Sequence, residues 1–419
     1  MKKIKLLVLL LVSAMFVDLC SQTVIQAAQT KAPKSVTAKK TVKKATEETY
    51  KAMWFSYYDY SDYRDQGKKV NASTFQSYMT GVVKKAKNVG MNRIIVQVRP
   101  FGDAMYSSKY FPWSKYISGK QGRNPGFDPL KIMVSVAHKN GMKIEAWVNP
   151  YRVTLGSTNI NGLSANNPAR KWYSQKSTKR NVLVYNGSIY YNPSKKQVRN
   201  LIVNGAKEIV KKYDVDGIHM DDYFYPSFTS SNVKTAFDAP EYNKSSYKKQ
   251  GKSIAAYRRE QVNLLVRQMK KEIQKVKPEV TYGISPAGNI DNLTSNYSYY
   301  VDINKWLNSK DYVDYIAPQV YWGFHHPTAA FDKVTDRWVK AAKSKKVKLY
   351  LGIGVYRVGY NVGQNSAEKS EWRSDRNILK KQVQYGLKKS VDGFAFFDYQ
   401  DFNRSGSKKA VVQLKTVLK

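Results

Sequence analysis

Two adjacent carboxyl groups, Asp221 and Asp222, sit in the run Asp216-Gly217-Ile218-His219-Met220-Asp221-Asp222-Tyr223-Phe224-Tyr225-Pro226. Carboxylates held this close cannot both ionise freely, so one is pushed toward its protonated form. A protonated carboxyl beside an ionised one is what acid-assisted cleavage of a glycosidic bond requires. Other polar and aromatic clusters follow apolar segments along the chain. They supply Arg99, Asp103, Glu145, Trp147, Asn149, Tyr151, Arg152, His219 and Tyr223 as candidate substrate contacts. Further along come Asn289, Gln319, Tyr321, Trp322, Tyr356 and Asp398. Rings cover the apolar faces of a sugar, while amides and guanidinium groups read its hydroxyls. Asp221 is the indispensable carboxyl of this reading, with Asp222 as its partner. Asp103, Glu145 and Asp398 are the other acids available, and Glu145 is equally placed to pair with Arg99.

These residues must be brought together by the elements behind them. Eight short apolar segments read as strands: Ala52–Tyr58, Arg93–Arg99, Lys143–Asn149, Gly217–Asp221, Thr281–Ser285, Tyr312–Tyr321, Lys348–Tyr356 and Gly393–Tyr399. Helical patterns lie between them, and Lys408–Leu418 supplies the last. Such alternation predicts parallel strands with helical crossovers. Eight units in this length predict an α/β fold of the (β/α)8 TIM-barrel type with enlarged βα loops. A doubly wound open sheet is the alternative, but no Gly-rich phosphate loop follows Tyr58. Side-chain alternation along a strand puts Ile144, Ala146 and Val148 on one face and Glu145, Trp147 and Asn149 on the other. In the same way Ile95, Gln97 and Arg99, then His219 and Asp221, then Tyr315, Gln319 and Tyr321 are expected to point into the barrel. In this fold the active site forms at the strand C-termini.

The chain has 419 residues, of which 42% are apolar and 24% charged, as in a globular protein with a real core. Aromatics make up 13%, including 32 Tyr and 8 Trp, more than a core requires; an exposed aromatic surface is expected. With one Cys and four His there is no internal disulfide and no zinc-type spacing, and neither metal nor cofactor is expected. The balance of 71 Lys+Arg against 31 Asp+Glu, a net +40, attracts polyanions. Lys2, Lys3 and Lys5 precede an apolar run from Leu6 to Val17, and Ala27 and Ala28 follow. That is the layout of a secretory signal peptide over residues 1–28. Leu19 before Cys20 is too large for a lipidation site. Residues 29–46 read as a basic flexible linker able to hold anionic cell-wall polymers, ahead of one domain over 47–419. Export argues against nucleic acid as the partner. No stable membrane insertion is expected after signal cleavage.

The blocks Arg99–Tyr106, Trp147–Arg152, Asp216–Pro226 and Pro318–Trp322 together resemble the glycosyl-hydrolase-like 10 family of exported bacterial proteins. The resemblance runs from about Lys51 to Tyr399. It implies a (β/α)8 barrel acting on polysaccharide, with some members trimming the glycan strands of peptidoglycan. Retaining barrel hydrolases commonly place a second acid after the seventh strand, and this chain has only Gly352–Gly354, Tyr356 and Arg357 there. The Asp216–Asp222 run also echoes chitinase-like barrels, but their catalytic Glu would fall on Tyr223. The expected function is a secreted or wall-associated glycoside hydrolase. The alternatives are a carbohydrate-binding barrel without catalysis and a polyanion-binding adhesin driven by charge.

Overall fold

The computed structural model describes residues 48–67 and 69–419. The signal peptide and basic linker expected at the N-terminus lie outside the described residues. Eight strands close a parallel barrel: β1 (Tyr50–Phe55), β2 (Arg93–Arg99), β3 (Lys143–Val148), β6 (Gly217–Met220), β7 (Thr281–Ile284), β8 (Tyr315–Ile316), β9 (Lys348–Gly354) and β10 (Gly393–Phe397). β1 pairs with both β2 and β10, which excludes an open sheet. The strands β4 (Val182–Tyr185) and β5 (Ser188–Tyr191) form an antiparallel hairpin inside the loop after β3. The expected barrel with enlarged loops is therefore what the chain forms.

Crossover helices α1 (Ala72–Val89), α2 (Pro129–Lys139), α3 (Lys196–Lys212) and α4 (Ile254–Val276) follow β1, β2, β3 and β6. Their limits follow from local chemistry. Asn71 caps α1 by accepting from the Thr74 N–H, and Gly90 ends it at φ 107°, where a side chain would be strained. Asp128 caps α2, with Pro129 in its first turn, and Ser253 caps α4. The helices α5 (Ile303–Leu307), α6 (Phe331–Ala341), α7 (Ile378–Lys388) and α8 (Lys408–Leu418) complete the ring.

Strand parity separates two cores. Outward residues such as Met53, Ile94, Val96, Ile144, Ile218, Ile284, Leu351 and Phe394 join the helices in one large apolar layer. Inward residues Tyr50, Ala52, Trp54, Ile95, Trp147 and Ala395 make a small second cluster, with Tyr350 and Phe397 against it. The interior is thus built from rings and polar groups rather than from layered aliphatics. Inward glycines make the space for them. A Cβ on Gly283 would stand 2.0–2.2 Å from ring atoms of Tyr315. Tyr315 cannot yield, because its hydroxyl donates to Glu145 and meets Nδ1 of His219 at 2.7 Å. Gly283→Ala should therefore cost about 3 kcal/mol, read from the midpoint of chemical denaturation; an unshifted midpoint would contradict this packing.

Most of the tyrosines are not where an exposed aromatic surface would put them. Tyr60, Tyr106, Tyr151, Tyr191, Tyr282 and Tyr300 are fully buried, and only Tyr58, Tyr223, Tyr297, Tyr356 and Tyr360 stand clearly exposed. Ring–ring contacts between the barrel and its helices, as between Phe55, Tyr60 and Phe75, absorb the excess.

Candidate active site

The strand C-termini surround a cavity of about 410 Å³. Asp221, directly after β6, lies in its wall and is only 2% exposed. The Trp147 indole donates to its Oδ2 at 2.9 Å, and the backbone N–H of Tyr223 donates to Oδ1 at 3.3 Å. Burial, reinforced by the charge of Asp222, pushes the Asp221 carboxyl up to about 8, against the partial pull of Arg152 and these two donors. Asp222 is half-buried and is not among the residues that line the cavity. Burial raises it to about 6, opposed by its own backbone N–H, by Arg152 and by the Gln319 amide. Near pH 7 the pair therefore divides into a protonated Asp221 and a largely ionised Asp222.

Eight of the residues expected at the site do line this cavity: Trp147, Arg152, His219, Asp221, Tyr223, Gln319, Tyr321 and Tyr356. Each is placed by a neighbour. The backbone of Arg152 bridges to Tyr190 of the β4–β5 hairpin. Its guanidinium lies 3.9 Å from the Tyr223 ring centroid and 5.1 Å from that of Phe101. Gln319 donates to the Ser285 carbonyl at 3.0 Å. Tyr321 packs its ring on Phe397 and edge-on to Tyr356.

His219 forms part of the cavity floor and is fully buried. The Trp54 indole can only donate, so Nε2 of His219 accepts from it at 3.2 Å. Tyr315 gives its proton to Glu145, which leaves Nδ1–H of His219 to donate to the Tyr315 hydroxyl. Both ring nitrogens are thereby engaged in the neutral form, and burial lowers the imidazole to about 3. His219 is a fixed neutral support and not a proton shuttle.

Several expected contacts lie elsewhere. Glu145 does point inward, but from the third residue of β3, so it reaches the barrel floor and not the rim. There it pairs with Arg93 at 3.1 Å, rather than with Arg99, and accepts from Tyr50 at 3.1 Å and from Tyr315. Arg99 is turned out of the barrel by a register shift between Gln97 and Arg99, and its guanidinium sits 4.7 Å from the Phe111 centroid. Asn149, just past the end of β3, is buried; its backbone N–H donates to the Arg99 carbonyl and its side-chain amide to the Pro100 carbonyl, each at 2.8 Å. Tyr151 is buried in the apolar layer between barrel and helices. Asn289 caps the short helix Ile290–Leu293. Trp322 packs against His326, and its carbonyl accepts from Gln382. Asp103 lines a separate small pocket and accepts from Gln121 at 3.0 Å. Asp398 sits in an adjoining groove, where it accepts from Ser56 at 3.0 Å. Burial, with the negative charge of Asp59, holds it above the ordinary carboxyl range.

Other cavity residues were not among the expected substrate contacts, although alternation had already turned Gln97 inward. Trp54, Ser56, Tyr57 and Tyr58 come from β1 and the helix start behind it, with Gln97, Leu155, Ser285 and Phe397 from other strand ends. The alternation Ala52-Met53-Trp54-Phe55 was the available signal, since it places Trp54 inward with Ala52. Among the described residues no cluster of His, Cys, Asp and Glu has the arrangement of a metal site. No described helix is long and apolar enough to cross a membrane.

Comparison with known proteins fits this geometry. The chain is 36% identical to glycosyl hydrolase YngK of Bacillus subtilis, over 76% of this chain and 62% of that protein. It thus spans less than two thirds of that relative's length. It is 30% identical to glycosyl hydrolase DigH of Escherichia coli K12, over 81% of this chain and 79% of that protein. The PgaB (BpsB) glycoside hydrolase domain of Bordetella bronchiseptica shares the fold at a TM-score of 0.54 and 12% identity, covering 87% of this chain and 99% of that one. The family model for glycosyl hydrolase-like 10 matches residues 49–373, which span β1 to β9 and every wall of the cavity except the β10 end, and the chain belongs to that family.

Proposed function

We propose that this protein is a glycoside hydrolase of the bacterial envelope, with peptidoglycan glycan strands as its substrate. The observation that carries the reading is Asp221, buried in the wall of an aromatic cavity and held protonated beside an ionised neighbour. Asp221 gives its proton to the glycosidic oxygen. The C1–O bond breaks with its electron pair leaving on that oxygen; water then adds its hydroxyl to C1 and returns its remaining proton to the Asp221 carboxylate, which restores the acid. The negative charge of Asp222 stabilises the positive charge that develops at the sugar ring. Trp54, Tyr223, Tyr321 and Tyr356 offer ring faces, and Gln97, Gln319 and Arg152 offer groups for hydroxyls. The signal-peptide layout and the cationic segment 29–46 support export and retention by anionic wall polymers. The names of the relatives support hydrolysis.

One observation favours the rival reading of a carbohydrate-binding barrel. Among the described residues that line the central cavity, Asp221 supplies the one carboxyl group. Incubating the purified protein with peptidoglycan, intact and stripped of peptides, separates the two. New reducing ends are expected. Saturable binding to glycan with no release from any preparation would leave the binding reading alone. Binding that vanishes in high salt would indicate a polyanion adhesin instead.

A further inference from the structure

The central cavity is not a blind pocket. On one side it shares Tyr58, Tyr356 and Phe397 with a groove of about 640 Å³ that runs between the loops after β9 and β10. On the other it shares Leu155 with a pocket of about 170 Å³ between the loops after β2 and β3. Asp221 lines the middle section and neither flank. A cavity made to release units from a chain end has a wall beyond the terminal sugar. Here two further concave spaces adjoin the cavity through shared wall residues.

The two flanks are built for contact with a polar polymer. Tyr360 is 50% exposed in the larger groove, yet its ring is held. The Arg404 guanidinium lies 4.4 Å from its centroid. Arg404 is itself fixed, donating to Asp401 at 2.7 Å and to the Tyr356 and Val358 carbonyls at 3.0 and 3.1 Å. An exposed ring backed by a guanidinium presents its free face at little further cost in side-chain entropy. In the smaller pocket the exposed Lys115 stands beside Tyr116, whose ring stacks on Phe101. Asp103, in the same pocket, already feels the charge of Lys115.

We propose that a linear glycan lies across the whole rim, with sugar units bound on both sides of Asp221, and that internal bonds of the chain are cut. Tyr360 is the stacking platform of an outlying sugar subsite, and Lys115 marks the opposite arm. The proposal rests on the hydrolytic reading above and adds to it the mode of attack. The chemistry is unchanged: water adds across one C1–O bond, now with sugar units on either side.

The test uses long glycan chains labelled at the reducing end, with products sized from the earliest time points. Fragments of intermediate length should appear first. Tyr360→Ala should redistribute the bonds cut and raise KM about fivefold on long chains, the scale of one lost ring contact, with the effect shrinking as the chain is shortened. Tyr360→Phe keeps the ring and should keep the wild-type pattern. Release of single terminal units from the first time point would overturn the proposal while leaving hydrolysis intact. An equal effect of Tyr360→Ala on chains of every length would also overturn it. A wild-type protein that produces no new ends at all would strike at the hydrolytic reading itself.

Discussion

Asp221→Asn is expected to lower kcat by about 10³-fold, the scale of a lost general acid, while leaving the protein folded. The pH profile identifies the group. Asp221 must be protonated to act, so wild-type activity should fall as pH rises through about 8. Asp222 must be ionised, so activity should also fall as pH drops through about 6. Asp222→Asn should weaken the enzyme, remove the acid limb and move the alkaline limb to lower pH, because the Asp222 charge helps to raise Asp221. His219 contributes neither limb, because burial keeps it neutral down to about 3. The same shift makes a statement about stability. The Asp221 carboxyl is raised on folding, so its contribution is fully present below the ordinary carboxyl range and is lost as pH rises through about 8. Asparagine cannot ionise and still accepts from Trp147. At pH 9 the inactive variant should thus melt above the wild type, and the two should converge near pH 4. A variant that melts lower at pH 9 would mean that Asp221 is held by a charge partner and is not poised as an acid.

That result would join activity to a stability cost, as expected where a site keeps a carboxyl out of water for its chemistry. Asp59 and Asp398, behind the β1 and β10 ends, are raised in the same direction. Together these groups make alkaline pH the unfavourable side for this barrel. They also bear on the second carboxyl. Asp398 lines the groove that adjoins the cavity, but its raised value leaves it a poor source of negative charge at neutral pH. Asp222 is the better partner on this ground.

How far the sequence alone could reach is clearest strand by strand. The residues of β2 and the helix α8 are bounded as the apolar pattern predicts, and β3, β6 and β7 differ by one residue at the C-terminal end. The segment Tyr312–Tyr321 shrinks to Tyr315–Ile316, with isolated bridges at Gln319. Pro318 has no N–H to offer a ladder, and the chain leaves regular pairing there. Alternation correctly sent Glu145 and His219 inward. It did not give depth, and depth separates the floor, where Glu145 meets Arg93, from the rim, where Asp221 meets Trp147. Alternation also presumes regular pairing. The register shift past Gln97 reverses Arg99, and no residue in Arg93-Ile94-Ile95-Val96-Gln97-Val98-Arg99 announces a bulge. The hairpin that positions Arg152 was overlooked although the sequence carries its signal. Asn186-Gly187, at φ 44° and 71°, joins the β-prone runs Val182–Tyr185 and Ser188–Tyr191 as the two-residue turn of an antiparallel pair.

The loop that carries the acid pair depends on one fully buried ion pair. Arg258 on α4 donates from Nε to Asp238 at 2.8 Å, and neither side chain is exposed. Arg258 also donates to the Tyr300 hydroxyl at 3.0 Å and to the Ala236 carbonyl at 3.1 Å, with its guanidinium 4.1 Å from the Phe228 centroid. Asp238 accepts in turn from Tyr225 at 2.7 Å and from Ser194 at 2.8 Å. Tyr225 lies four residues beyond Asp221, so this knot ties the segment after β6 to the helix that follows it. Arg258→Met removes the cation and leaves Asp238 buried without its charge partner. A loss of about 3–5 kcal/mol is expected, measured by chemical denaturation. Asp238→Leu alone strands the guanidinium and should cost a similar amount. The double variant Arg258→Met/Asp238→Leu strands neither charge, so it should recover much of the stability that the single changes lose. Recovery of activity is a separate matter, because Tyr225 and Ser194 would still lack their acceptor. The double variant should therefore regain stability more fully than it regains kcat. Strictly additive losses in the double variant would show that the two charges act independently, and the loop would have to be held by its aromatic packing instead.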